Sequence, residues 1–274
     1  MIKSYWTRMH TIALCLIITG MVALGVFTKS MIITEGSAPW TWYVNMLALF
    51  LFVLFAGHGV TGRALGFLID SRNKMSLSQL QIAVWTIVIL STYLAVVLSR
   101  VVNPDLGYAL AFNVALPKEL WMLLGISLTS MVGSPLILSG KKTTQPDANE
   151  RGRTVASLAT MGGRAAPTEQ EKQEASFGTL MVNEAPQQAQ IADLFRGDET
   201  GNAAHLDISK VQMFLFTVIL VIVYIFGLEA AFDGLISDES AAFPVLDSSM
   251  ITLLGISHAG YLSYKAVPHS KPAS

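Results

Sequence analysis

The sequence predicts an all-α integral membrane protein of six transmembrane helices. A two-helix unit is duplicated in parallel (helices 3–4 and 5–6), and a long hydrophilic cytoplasmic loop separates the copies. Three observations carry this. Hydrophobic residues make up 52% of the chain and charged residues only 14%, and the apolar residues lie in long runs of the kind that cross bilayers. Residues 77–93, LSQLQIAVWTIVILSTY, return at 208–224 as ISKVQMFLFTVILVIVY, at an offset of about 131 residues. The copies pair Ser78 with Ser209, Gln81 with Gln212, Trp85 with Phe216, Thr86 with Thr217 and Tyr93 with Tyr224. Each copy is followed by a second apolar run carrying the pentapeptide LLGIS, at 123–127 and again at 253–257.

The first domain, 1–76, holds two helices and a connector. Lys3 and Arg8 precede an apolar run over 11–27, a layout shared by signal peptides and first transmembrane helices. The small residues Ala23 and Gly25 make a poor cleavage site, and Leu14 spoils a lipoprotein box at Cys15, so the run reads as an uncleaved helix. Trp40, Trp42 and Tyr43 stand where an interfacial aromatic belt would sit. The second run, 43–60, is long enough to cross a hydrocarbon core of about 30 Å. It ends in the glycine-rich GHGVTGRALG.

The first repeat, 77–140, carries a third helix to about residue 100, a loop, and a fourth helix from about residue 120. Pro117 and Glu119 suit a helix start, and Pro135 predicts a kink or stop near its end. Residues 141–207 then change character to Gly, Ala, Thr, Gln, Glu and Pro. This composition predicts a largely disordered cytoplasmic loop, with one short amphipathic element near 189–197 that places Ile191, Leu194 and Phe195 on one face. The second repeat and a short tail fill 208–274.

Orientation follows the basic residues. Lys3, Arg8, Arg63, Arg72, Lys74, Lys141, Lys142, Arg151, Arg153, Lys265 and Lys271 all fall on one side of a six-helix layout, which is therefore the cytoplasm. The expected location is a bacterial inner membrane, multi-pass, with both termini cytoplasmic. Both repeats enter from the cytoplasm and return to it, so they are parallel, unlike the inverted repeats of many transporters. Net charge is −1, which gives no basic field for nucleic acid.

Candidate residues are polar groups inside apolar runs. Gln81 and Gln212 would bond to one another or to backbone, fixing the two units together, or would ring a pore mouth. Thr86 and Thr217 are expected to bond the carbonyl one turn back, and Tyr93 and Tyr224 to anchor at an interface. Gly125, Ser127, Gly255 and Ser257 are small residues suited to close helix packing. Ser257 and its neighbour His258 cannot act as nucleophile and base, because adjacent helical residues point about 100° apart. His258 and His58 remain ionisable candidates. The histidines are dispersed and the single cysteine stands alone, so no metal site, cofactor or catalytic residue is expected.

No Asp, Glu, Lys or Arg falls in the centre of any run, which argues against active transport. The sequence therefore supports a non-enzymatic, oligomeric passive channel or membrane-permeabilising module, regulated through its cytoplasmic loop. The alternative is a membrane anchor or scaffold that recruits a soluble cytoplasmic protein through Asp193, Leu194, Phe195, Arg196, Asp198 and Glu199. Expected partners are the lipid bilayer and further copies of the chain.

Overall fold

The structure is a computed structural model that describes residues 5–35, 40–102, 111–238 and 240–273. It is mostly helical: α1 (Arg8–Glu35), α2 (Trp40–Thr61), α3 (Leu77–Val102), α4 (Lys118–Ser139), α5 (Ala148–Met161), α6 (Glu169–Glu174), α7 (Ile208–Ser237) and α8 (Ser248–Ala266). Each of the six apolar runs is a helix. Among the described residues, four are long and apolar enough to cross a membrane: Trp40–Thr61, Leu77–Val101, Lys118–Lys142 and Ile208–Ser237. This is the make-up of an all-α membrane protein. The connection between α3 and α4 falls partly outside the described residues. Pro135 lies inside α4 without ending it, and the helix runs on to Ser139.

The chain divides into two compact units. The first comprises Met1–Phe67, Gln81–Gly125 and Thr217–Thr252, and the second Leu68–Leu80, Ile126–Phe216 and Leu253–Ser274. In the first unit, α1 packs along α2, so that His10 near the start of one meets His58 near the end of the other. The Thr7 backbone N–H donates to His10 Nδ1 at 3.1 Å. The His10 proton therefore sits on Nε2, which donates to His58 Nδ1 at 2.9 Å. Gly62 ends α2 at a φ of +73°, its N–H returning to the His58 carbonyl at 2.7 Å; only glycine takes this turn without strain.

Trp42 does not sit in an interfacial belt. It is fully buried, its ring 6.0 Å from that of Phe232 and its Nε1 donating to Ser91 Oγ at 3.2 Å. The reason is its position within α2, where the indole finds both apolar cover and a hydroxyl acceptor. Arg100, also fully buried, closes the end of α7. Its Nε donates to the Leu235 carbonyl at 2.7 Å, and its terminal nitrogens to Asp238 O at 2.8 Å and Asn113 O at 2.9 Å. A helix leaves its last four carbonyls without intrahelical donors, and this guanidinium supplies one.

In the second unit, the segment 141–207 is folded, which corrects the expectation of disorder. Asp147 caps α5 by accepting from Glu150 N at 2.8 Å, and Thr168 with Glu171 forms a capping box on α6. A two-residue hairpin pairs β1 (Ser176–Phe177) with β2 (Leu180–Met181) across Gly178, whose φ is +60°. The amphipathic element is a 3-10 turn, Ile191–Leu194, rather than an α-helix reaching Gly197. The C-terminal tail is stapled alongside: Asp147 N donates to Lys271 O and Ala273 N to Gln145 O, both at 2.9 Å. Polar composition misled because this segment is held by hydrogen bonds and ion pairs to distant residues as much as by its few buried apolar side chains, Leu180, Met181, Ala189 and Leu194 among them.

Candidate functional site

Asp198, only 5% exposed, is the focus of the second unit. Arg72 reaches its Oδ1 at 2.9 Å, Lys210 the same oxygen at 3.2 Å, and Lys265 its Oδ2 at 3.1 Å. Three stretches far apart in sequence thus deliver a cation to one carboxylate: the connector before α3, the first turn of α7 and the last turn of α8. Asp70 accepts from Arg72 Nη2 at 2.8 Å and Nε at 3.0 Å. Burial alone would push the Asp198 carboxyl up, but Lys210, Lys265, Arg72 and Lys74 outweigh it and hold it well below the usual carboxylate range.

Lys74 lies beside this cluster, 3.7 Å from Asp193. Burial brings its ammonium down to about 8, with Asp193 and Asp198 opposing and Arg72 and Lys210 assisting. The loop that carries Arg72 and Lys74 is itself tied down. Asn73, at a φ of 56°, exchanges side-chain amide bonds with Asn183, each amide donating to the other residue's carbonyl at 2.9 and 2.7 Å. On the other flank Glu199 accepts from Lys141 Nζ at 2.5 Å and from His269 N at 3.0 Å. Lys210 also donates to the Arg196 carbonyl at 2.5 Å.

From Asp198 a line of polar groups continues between α4 and α8. Lys265 Nζ donates to Ser134 Oγ at 2.6 Å, and Ser134 Oγ lies 3.4 Å from Tyr261 OH. One turn further, Ser130 Oγ is 2.6 Å from His258 Nδ1. Beyond that, the hydroxyls of Ser127 and Ser257 are buried with no hydrogen-bond partner among the described residues. The spacing of Ser127, Ser130 and Ser134 on one helix and of His258, Tyr261 and Lys265 on the other puts each set on a single face.

The predicted residues divide accordingly. Asp193, Leu194, Asp198 and Glu199 are buried, and Phe195 and Arg196 half-buried. The structure gives them internal partners, including an edge contact of Phe195 with Phe214 at 5.0 Å, rather than an open recruitment face. Gln81, fully buried, donates to Thr217 Oγ1 at 2.5 Å, not to Gln212, which is exposed. Thr217 thus bonds across helices, while Thr86 is exposed. Tyr224 is buried with its ring 6.0 Å from that of Trp85 instead of anchoring at an interface, whereas Tyr93 is half-buried.

Gly125 is exposed, and a Cβ there would meet nothing within 4 Å; one at Gly255 would make ordinary contact with Ile126 at 3.6 Å. The buried members of LLGIS are the serines together with Leu123 and Leu254, so close packing does not rest on these glycines. Exposed His58 pairs with His10, and buried His258 with Ser130.

Sequence reading missed Arg72, Lys74, Lys210, Lys265, Ser130, Ser134 and Tyr261. Part of the signal was present: Arg72 and Lys265, counted towards orientation, converge on Asp198, but Lys210, which joins them there, was not among those residues. Among the described residues no group of His, Cys, Asp and Glu could hold a metal ion. Comparison with known protein families, curated proteins and solved structures returned no match.

Proposed function

We propose that the chain is a non-enzymatic, six-helix inner-membrane anchor whose working part is the folded segment 141–207, held at the cytoplasmic face as a fixed head for a soluble partner. The observation that supports this reading is the ion cluster at Asp198. It commits buried cations from the connector before α3, from α7 and from α8 to fixing one polar segment, and a buried cluster of this kind favours a single arrangement over a loose one. The acids of 193–199 then act as the lock, and recognition falls to the outer face of α5, where Arg153 and Met161 are exposed.

A second reading, passive conduction, is favoured by the polar line from Ser134 through Ser130 to the buried serines of LLGIS. It moves the path from Gln81 and Gln212 to the groups between α4 and α8. Two measurements separate the readings. A photo-crosslinking side chain placed at 153 or 161 in cells is expected to trap one discrete soluble protein, and Asp198→Asn is expected to abolish that product. In liposomes the purified chain is expected to carry no ion flux. Flux that changes in Ser130→Ala or His258→Ala, with no crosslink from either head position, would overturn the anchor in favour of the conductor.

A further inference from the structure

We infer that the second unit binds the phosphate group of a phosphate ester in a cavity between the first turn of α3 and the last turns of α4. The cavity has a volume of about 270 Å³ and is lined by Arg72, Ser78, Gln79, Ser134, Pro135 and Lys142, together with Asp70 and the Met131 residue that precedes Pro135 by one turn. This inference stands apart from the anchor reading and survives its failure.

Four features converge on an anion. The N-terminus of α3, a helix of 26 residues, opens here with no acidic residue in its first turn, so the positive end of its dipole is uncompensated. Ser78 is 2% exposed, yet its hydroxyl has no hydrogen-bond partner among the described residues, which is rare for a buried polar group. Arg72 and Lys142 line the cavity with Asp70, and Arg72 also pairs with Asp198, so the positive charge left for a ligand is that of Lys142. Asp70 is already taken up by Arg72 through two of its nitrogens. The exposed Lys142 is a point charge at the rim, its Nζ 6.0 Å from the Phe177 ring, and suits a phosphate.

The far wall accepts rather than donates. Pro135 has no N–H, so the Met131 carbonyl lacks its helical donor; on the α3 side the Gln79 carbonyl oxygen is a further acceptor, buried with no hydrogen-bond partner among the described residues. A ligand that satisfies both the donors and these acceptors carries a phosphate and, beside it, a hydroxyl or ammonium.

Position narrows the source. Ser78 and Gln79 begin the candidate span Leu77–Val101, and Ser134, Pro135 and Lys142 close the span Lys118–Lys142, so the cavity lies at headgroup depth. The volume falls just below the roughly 300 Å³ at which pockets for drug-sized ligands begin. That suits a phospholipid headgroup, and free phosphate shares the chemistry.

The test uses the full chain purified in mild detergent and measured by native mass spectrometry and ³¹P NMR. One phosphatidylglycerol is expected to remain bound per chain, and Ser78→Ala and Lys142→Gln are each expected to reduce retention at least fivefold with unchanged thermal unfolding. Arg164→Gln, exposed just beyond the end of α5, is the control and is expected to retain lipid. Retention that inorganic phosphate does not displace assigns the site to a lipid headgroup. Broadening of the inorganic phosphate resonance by wild type but not by the two variants, without retained lipid, assigns it to free phosphate. Absence of both signals, or equal binding by wild type and both variants, would overturn the inference.

Discussion

At the scale of single residues, the cluster around Asp198 makes pH the sharpest probe. The Lys74 ammonium is brought down to about 8 in the fold, against about 10.4 in an unfolded chain. Between those values the unfolded chain binds a proton that the fold does not, so stability rises with pH across the window, by on the order of 3 kcal/mol at most. Thermal unfolding of detergent-solubilised protein is expected to rise between pH 8 and 10, and Lys74→Met is expected to flatten that rise. A wild type and variant that track each other would contradict it. Asp198 behaves oppositely. Its depressed carboxyl contributes stability above about pH 4 and loses it only as pH falls well below that, so mild acid leaves the head in place. Little of this was legible in sequence. Asp198 and Arg72 stand 126 residues apart, and no local pattern announces a partner at that distance.

At the scale of elements, the duplication at 77–93 and 208–224 foretold helices well and equivalence badly. Gln81 and Gln212 occupy matching places in the alignment, but Gln81 is buried against Thr217 while Gln212 is exposed. Periodicity reports which residues can share a face; it does not report which neighbour covers that face. A double-mutant cycle of Gln81→Leu and Thr217→Val is therefore expected to return a coupling of about 1 kcal/mol. Gln212→Leu should fall within about 0.5 kcal/mol of wild type, as surface changes do. Equal costs at the two glutamines would refute the inequivalence. The end of α7 offers a second case. Arg100 is the donor for the carbonyls of Leu235 and Asp238. Arg100→Met is expected to speed amide exchange through the last turn of α7 while sparing its first turns.

At the scale of the whole molecule, apolar length and composition were enough to find the helices, because a bilayer leaves backbone groups no other way to be satisfied. They were not enough to find the head. Residues 141–207 fold through capping boxes, reciprocal amides and buried ion pairs, and composition scores such groups as solvated. The central claim is that this segment is a fixed structure locked at Asp198, and amide hydrogen exchange of the full chain in nanodiscs tests it most directly. Wild type is expected to protect 176–207 strongly. Asp198→Asn, which strands Lys210 and Lys265 without their counter-charge and leaves Arg72 only Asp70, is expected to cost about 3–5 kcal/mol. Exchange across 190–207 and 70–76 should then accelerate on the order of a hundredfold while the centres of α2 and α7 stay protected. Free-chain exchange across 141–207 in wild type, or a variant indistinguishable from it, would contradict the account.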